Sequence, residues 1–168
     1  MIKKISLVIL IIICFTLTSC DPGPYTINRD SLNDVIGVDL IEYTNPDQKH
    51  FISWVPDQFD ELVPFVPANA TVLESLPSEK IPEFLDAFSN TDILHTYYAY
   101  NSPKDVCIRL NYENGNFLII WANYAENRFA GYIGEYASDG NVLSFWGSFS
   151  ALFYYTDLVS QYFNYSLN

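Results

Sequence analysis

The stretch VCIRLNYENGNFLIIW, residues 106–121, decides the fold. Its first seven residues alternate between apolar and less apolar side chains, which is the pattern of a half-buried β-strand. Asn114-Gly115 then separates this run from five apolar residues at 117–121. An Asn-Gly pair between two such runs is the strongest short-range hairpin signal, because both residues accept the positive φ of a tight turn. The stretch therefore predicts two antiparallel strands, at 106–112 and 117–121.

The same design follows directly downstream. Phe129–Tyr136 and Val142–Trp146 flank Asp139-Gly140, which predicts a second hairpin and a run of three to four strands in meander order. Beyond it, apolar residues recur with helical spacing and predict a closing helix at 150–163. The apolar face of this helix consists of Leu152, Tyr155, Val159, Tyr162 and Phe163.

Upstream of the hairpins, residues 35–43 predict a strand. Asn45-Pro46-Asp47 predicts a turn into a second strand at 51–55, which would pair with the first. Residues 71–76 fit either a short strand or an extended lead-in to the next element.

Residues 78–89 predict a helix, with Ser78 as its N-cap and apolar residues at positions i, i+3, i+4 and i+7. These apolar residues are Ile81, Phe84, Leu85 and Phe88. A tyrosine-rich segment at 94–100 predicts another strand. Runs of strands with segregated helices indicate an α+β fold, in which an antiparallel meander sheet of about five to seven strands carries two helices on one face.

The first 20 residues have a different organisation. Lys3 and Lys4 precede an apolar run over 5–15, and Leu17-Thr18-Ser19-Cys20 follows. A basic start, an apolar segment and small residues at a cleavage site are the three parts of a secretory signal. The last four of these residues resemble the lipobox of bacterial lipoprotein precursors, in which the cysteine is the lipid acceptor.

The resemblance implies cleavage between Ser19 and Cys20 and a diacylglycerol, with palmitate-like chains, on the sulfur of Cys20. Two acyl chains contribute on the order of 20 kcal/mol to membrane binding, since each buried methylene contributes about 0.8 kcal/mol. We therefore expect a signal peptide at 1–19, a lipidated cysteine and tether at 20–30, and one globular domain at 31–168. The expected location is the extracytoplasmic face of the cell membrane.

Two other interpretations of the same segment stay open. A membrane-spanning helix needs about 20 apolar residues, and the run here is shorter. A signal peptide without lipid would be cleaved after small residues, and Thr16-Leu17-Thr18 is a poor site of that kind.

The body of the chain resembles small lipoproteins of low-GC Gram-positive bacteria that have no assigned activity. The matching segments are Tyr100-Asn101-Ser102-Pro103, residues 109–115, Asp157-Leu158-Val159 and Tyr162-Phe163. The resemblance covers most of the mature chain and implies a location and an anchor. It transfers no catalytic residue.

The charge of the chain limits its partners. Lys3 and Lys4 lie in the predicted signal and all 20 acidic residues lie beyond it, so the processed chain has six basic side chains and a formal charge of −14. Nucleic-acid binding is not expected, because phosphate contacts need clustered Lys and Arg. The expected partners are the lipid bilayer, through acylated Cys20, and a cationic peptide or protein.

Motifs for chemistry are scarce in the sequence. His50 and His95 are the only histidines, and neither belongs to a zinc-ligand spacing. Gly147–Ala151 lacks the glycine order of a nucleophile elbow and fits a serine-rich strand-to-helix turn. Asp57, Asp60 and Glu61 fit a solvated loop better than a calcium loop. We expect no catalytic, metal or cofactor site.

Cys107 and Arg109 are the other two candidate functional residues. Cys107 lies in a predicted strand and is expected to be a buried thiol. Arg109 is the lone cation of a predicted hairpin strand in a very acidic domain, and we expect it to have a carboxylate partner on a neighbouring strand. The alternative is a ligand contact, in which Arg109 clamps the carboxylate of a bound molecule. A cross-strand acidic partner would argue against the ligand clamp.

These expectations favour a membrane-anchored, non-enzymatic binding or interaction domain at the cell surface. One alternative is a cell-envelope hydrolase that uses acidic residues, which would need two acidic groups, or an acidic group and a histidine, converging in a pocket. The other is an accessory subunit of a membrane complex, for which an exposed aromatic patch would be the sign.

Overall fold

The predicted hairpins lie at the centre of an antiparallel sheet in the computed structural model, which describes residues 25–44, 50–51, 64–90, 92–93, 99–100, 104–125, 128–149 and 158–165. The strands within these residues are β1 (Tyr25–Thr26), β2 (Val35–Thr44), β3 (His50–Phe51), β4 (Ala70–Ser75), β5 (Asp92–Ile93), β6 (Ala99–Tyr100), β7 (Lys104–Tyr112), β8 (Phe117–Ala125), β9 (Arg128–Tyr136) and β10 (Val142–Phe149). Helix α1 spans Ile81–Ser89, and residues 158–162 are also helical.

Six strands form one sheet in the order β10-β9-β8-β7-β2-β4, and every neighbouring pair is antiparallel. β1 with β5 and β3 with β6 form two short ribbons. The predicted α+β class, with an antiparallel meander of five to seven strands, is confirmed.

Both hairpins form where the sequence predicts them, but with a longer turn than two residues. The N–H of Gly115 donates to the carbonyl of Tyr112, and that of Gly140 donates to the carbonyl of Ala137. Each turn thus ends on a glycine with φ of 87°, the arrangement of a three-residue loop. The Asn114 side chain accepts the N–H of Asn116, which holds the loop in this form.

The neighbours of β2 differ from the prediction. β2 pairs with β7 on one side and β4 on the other, so the undecided segment 71–76 is a strand. The expected pairing of 35–43 with 51–55 is wrong, because His50–Phe51 pairs with Ala99–Tyr100 instead. Residues 52–55 lie outside the described residues.

One face of the sheet, called the first face here, carries α1 and the C-terminal helix of residues 158–162, as predicted. Its core joins helix and strand side chains that are almost fully buried: Val38, Leu40, Phe84, Phe88, Ile108, Leu110, Leu118, Ile120, Ile133, Leu158, Val159 and Phe163. The predicted alternation of 106–112 is confirmed, because Ile108 and Leu110 face this core while Cys107 belongs to the cluster on the opposite face.

Helix α1 starts later than predicted. Residues Ser78–Lys80 form a 3-10 turn, the α-helix begins at Ile81, and Ser78 makes no side-chain cap. Pro82 is tolerated because it lies in the first turn, where its missing N–H is not needed. Of the predicted helix at 150–163, residues 150–157 lie outside the described residues, as do 94–98 of the strand predicted at 94–100.

The folded unit begins before residue 31. β1 pairs with β5, Ile27 is 6% exposed in the core, and Arg29 binds Asp86 of α1 at 2.8 Å. From Tyr25 onward, the expected tether at 20–30 is therefore part of the domain, since its apolar residue finds a buried site and its cation finds a carboxylate. Residues 21–24, like Cys20, lie outside the described residues.

Candidate functional site

The face of the sheet opposite the helices, called the second face here, carries a charged network at its β4 side. Asp39 of β2 lies directly opposite Arg109 of β7, and it also lies opposite Ser75 of β4. The alternation of β-strands brings all three side chains to the same face. The second face is therefore where the structure brings together the polar side chains of three strands.

The Asp39 carboxylate accepts three hydrogen bonds. Ser75 Oγ donates to Oδ1 at 2.6 Å, while Arg109 Nη2 and Asn111 Nδ2 each donate to Oδ2 at 2.8 Å. The Asp39 residue is 9% exposed, so these bonds replace most of the water that an aspartate normally binds.

The partners of Asp39 fix its charge state. Burial raises its pKa, but the hydrogen bonds from Ser75, Arg109 and Asn111 and the positive charge of Arg109 outweigh burial. The pKa of Asp39 therefore lies below its ordinary value of 3.8, and the carboxylate stays ionised at neutral pH. Such a group suits the binding of a cation, here Arg109, rather than proton donation.

A glycine makes room for the network. Gly37 precedes Asp39 by two residues on the same face, and its pair partner is Asn111. A Cβ atom at Gly37 would lie 3.2 Å from Asn111 Nδ2. That is tighter than an ordinary contact, so a side chain here would displace the amide that binds Asp39.

An aromatic cluster covers the rest of the second face. Phe65 lies over it and stacks on Tyr43 with ring centroids 4.6 Å apart, and it meets Phe117 edge-on at 5.1 Å. Tyr43 and Trp121 also meet edge-on at 5.2 Å. Tyr136 completes the cluster at 5.6 Å from Phe117.

Two backbone contacts fix Phe65 on this face. Its N–H donates to the carbonyl of Gly140 at 2.9 Å, and the N–H of Val66 donates to the Tyr43 hydroxyl at 3.2 Å. The aromatic side chains of this cluster are thus part of the core.

A second polar group lies on the first face and was not predicted. Glu135 Oε2 accepts hydrogen bonds from Ser144 Oγ at 2.7 Å and Trp146 Nε1 at 3.0 Å. The Tyr112 hydroxyl is buried nearby and has no hydrogen-bond partner among the described residues. Burial, followed by the charges of Glu135 and Asp34, raises the pKa of Tyr112 well above its usual range.

The structure places some of the residues that the sequence singled out. Arg109 has the cross-strand carboxylate that we expected, Asp39 at 2.8 Å, and this partner argues against the ligand clamp. Cys107 is fully buried, as predicted. Gly147–Phe149 lie within β10 rather than in a turn, because the strand continues to residue 149.

Ser19, Cys20, Asp57, Asp60, Glu61, His95, Ser150 and Ala151 lie outside the described residues, and for His50 only the backbone is described. Within the described ranges, no group of three His, Cys, Asp or Glu side chains is arranged to hold a metal ion.

None of the helices in the part of the chain that the structure describes has the length and apolar character needed to cross a membrane. Searches of protein-family models, of curated proteins and of solved structures found no match to this chain.

Proposed function

We propose that the chain is the precursor of a lipid-anchored extracytoplasmic protein whose folded domain is a non-enzymatic binding or interaction domain at the cell surface. The observation that carries this proposal is Leu17-Thr18-Ser19-Cys20 directly after a basic start and an apolar run. Each of the four residues fits the lipoprotein signal.

The start of the folded unit supports an anchor close to the domain. Tyr25 pairs with Ile93 only five residues after Cys20. Five residues span at most about 18 Å, so a lipid on Cys20 would hold the domain against the headgroups. An interaction domain that acts at the membrane surface benefits from this short reach.

The second face supports binding over acid–base catalysis. Asp39 is the buried aspartate of the described chain, and its lowered pKa and three hydrogen bonds keep it ionised and occupied. A general acid needs a pKa raised toward neutrality. Exposed aliphatic side chains at both sheet edges, Leu73 on β4 and Leu143 on β10, offer contact surface instead.

The test is a comparison of Cys20→Ala with Cys14→Ala in the full-length chain. We expect the wild type and Cys14→Ala to lose residues 1–19, gain the mass of a diacylglycerol and enter the detergent phase with the membranes. Cys14 is the matched control because it lies in the segment that is removed. Cys20→Ala should gain no lipid mass; if it stays with the bilayer at the wild-type mass, the proposal is wrong.

A further inference from the structure

β4 forms one edge of the six-stranded sheet. In the part of the chain that the structure describes, it pairs with β2 alone. The N–H of Leu76 donates to the carbonyl of Val38, so the adjacent pair of Ser75 and Asp39 is not hydrogen-bonded and the backbone groups of Ser75 face away from β2. Such groups are a template for one more strand.

Apolar side chains lie beside these backbone groups. Val72 is 47% exposed and Leu73 is 40% exposed, and Val66, just before the strand, is also exposed. Val72 lies opposite Ile41, and Leu73 is the extra residue of a bulge between the pairs Leu40–Glu74 and Ile41–Val72. An added strand would cover aliphatic surface as well as pair its backbone.

Most devices that protect a sheet edge are missing from β4. The strand contains no proline, and residues 64–79 contain no Lys or Arg, which are the side chains that commonly block edge pairing. Its one charge, Glu74, accepts hydrogen bonds from the backbone N–H and the amide of Asn164, at 2.9 and 3.4 Å. The bulge and the single charge of Glu74 are the devices of this kind that the described edge retains.

We infer that β4 is a docking edge that accepts an extended, basic segment of another protein as a seventh strand. The inference rests on the proposed function as a binding domain and names its binding surface. Main-chain hydrogen bonds to β4 would supply affinity, and contacts with Val72 and Leu73 would select apolar residues at alternate positions of the segment.

The charge of the chain selects the occupant. Two copies of the processed chain, with a formal charge of −14 each, repel one another, which disfavours edge-to-edge pairing of this chain with itself. In the paired part of β4 and the β2 residues opposite it, the charged residues are all acidic: Glu74, Glu42 opposite Thr71, and Asp39 opposite Ser75, which is paired with Arg109. A segment with Lys or Arg at the positions that point away from the apolar contacts complements this surface.

The edge also lies far from the N-terminus of the domain. β1 pairs with β5, which contacts β10, and β10 and β4 are the two opposite edges of the sheet. Five strand spacings separate them, about 24 Å. A lipid on Cys20 would therefore hold the domain by the β10 side and leave β4 accessible to a partner.

The experiment measures binding of a fluorescein-labelled peptide, KVTVKVTVK, to the processed, acylated protein in nonionic detergent by fluorescence anisotropy. We expect saturable binding that weakens about fivefold between low salt and 0.3 M NaCl, because the attraction is partly electrostatic. A peptide with N-methyl groups on alternate backbone amides should bind about tenfold more weakly, because it cannot complete the ladder. The acidic peptide EVTVEVTVE should not bind.

Leu73→Thr and Leu143→Thr are the matched variants. Both leucines are exposed at bulges, Leu73 on β4 and Leu143 on the opposite edge strand β10, and neither change alters charge. We expect Leu73→Thr to weaken binding about fivefold through lost apolar contact, while Leu143→Thr leaves binding unchanged.

Three results would overturn the inference: no binding of KVTVKVTVK, equal binding of the N-methylated peptide, or an equal effect of Leu143→Thr. A concentration-dependent dimer that Leu73→Thr abolishes would identify a second copy as the occupant and also overturn it. The mass of the same protein preparation reports acylation of Cys20, so a failure at β4 is separate from a failure of the proposed anchor.

Discussion

Asp39 and Arg109 connect the two halves of the chain. They lie 70 residues apart in sequence and directly opposite one another in the β2–β7 register. A slip of one residue would move Asp39 to the first face, among apolar side chains, and would leave Arg109 without its carboxylate. The pair therefore selects one register where aliphatic packing alone would distinguish the registers less sharply.

Removal of one side chain of the Asp39–Arg109 pair should destabilise the fold more than removal of an exposed ion pair does. For Arg109→Met we expect a decrease in the free energy of unfolding of about 2 kcal/mol, below the roughly 3–5 kcal/mol of fully buried pairs because Arg109 keeps 22% exposure. The double variant Asp39→Leu/Arg109→Met should regain much of the lost free energy of unfolding, because no charge is left unpaired. Urea unfolding followed by tryptophan fluorescence gives the values.

Arg29→Met is the control for this prediction. Arg29 pairs with Asp86 at the same 2.8 Å, but Asp86 is 68% exposed. Its loss should cost less than about 1 kcal/mol. If both variants cost the same, the second-face pair has no special role in stability.

The pH dependence of stability tests the charge state of Asp39. Its pKa is lower in the folded chain than in the unfolded chain, so folding favours the ionised form. The stabilisation is complete above the ordinary pKa of 3.8 and is lost as pH falls through the lower folded-state pKa. The difference in the free energy of unfolding between wild type and Asp39→Asn should be constant from pH 7 to about 5 and shrink below about 4.

If the difference in unfolding free energy between wild type and Asp39→Asn grows as pH falls, the pKa of Asp39 is not lowered by folding. The same titration of Asp86→Asn, whose carboxylate is largely exposed, separates the contribution of Asp39 from the general effect of acid on the fold.

At the scale of single residues, the sequence predicts that Arg109 binds a carboxylate but not which acidic residue supplies it. Arg109 is visible as a lone cation in a strand, so a carboxylate partner could be expected. Asp39 could not be chosen among 20 acidic residues, because nothing local links β2 to β7. Glu135 was missed because its partners Ser144 and Trp146 are ordinary strand residues until the β9–β10 register brings them together.

At the scale of elements, the two hairpins were predictable because their signal is local. Each has a glycine at the position where the chain needs positive φ. The pairing of β2 was not predictable in the same way, since residues 45–69 separate β2 from β4 and residues 45–103 separate β2 from β7. The expectation that neighbours in sequence pair with each other failed at that point.

The glycines of the two hairpins separate the effect of backbone conformation from that of crowding. They share one backbone conformation but differ in the space available for a Cβ atom. Both have φ of 87°. A Cβ at Gly115 would meet Ser138 Cβ at 3.6 Å, an ordinary contact, while a Cβ at Gly140 would overlap the carbonyl oxygen of Phe65. The second turn therefore also serves as the support for the segment that covers the second face.

Gly115→Ala should lower the free energy of unfolding by about 1–2 kcal/mol, the cost of the left-handed conformation alone. Gly140→Ala should cost about 1–3 kcal/mol more, because Phe65 must move out of the aromatic cluster. Thermal unfolding followed by near-ultraviolet circular dichroism reports both the stability and the packing of the aromatic rings. Equal costs for the two variants would show that the approach of Phe65 to Gly140 contributes nothing.

At the scale of the whole molecule, the start of the domain sets its orientation. The sequence predicts a ten-residue tether, but the pairing of Tyr25 with Ile93 and the burial of Ile27 leave only residues 21–24 between Cys20 and the fold. A local pattern of Pro and Gly predicts where a tether begins. Where it ends depends on distant residues, here Ile93 and Asp86, that accept the chain.

A tether this short should fix which side of the domain faces the lipid. We expect a fluorophore on Thr26→Cys, next to the tether, to be quenched strongly by nitroxide-headgroup lipids in phosphatidylcholine vesicles. A fluorophore on Thr71→Cys should be quenched weakly, because β4 lies about 24 Å across the sheet from β10. Both threonines are exposed, and Cys107 is buried and so protected from the label.

Insertion of ten Gly and Ser residues between Pro24 and Tyr25 is the control, because a flexible linker of that length lets the domain tumble. It should remove the difference between the two labels while the protein stays anchored. Equal quenching of the two labels without the insertion would mean that the domain turns freely on its anchor. In that case, access of a partner to β4 would depend on rotation of the domain rather than on the short connection to Cys20.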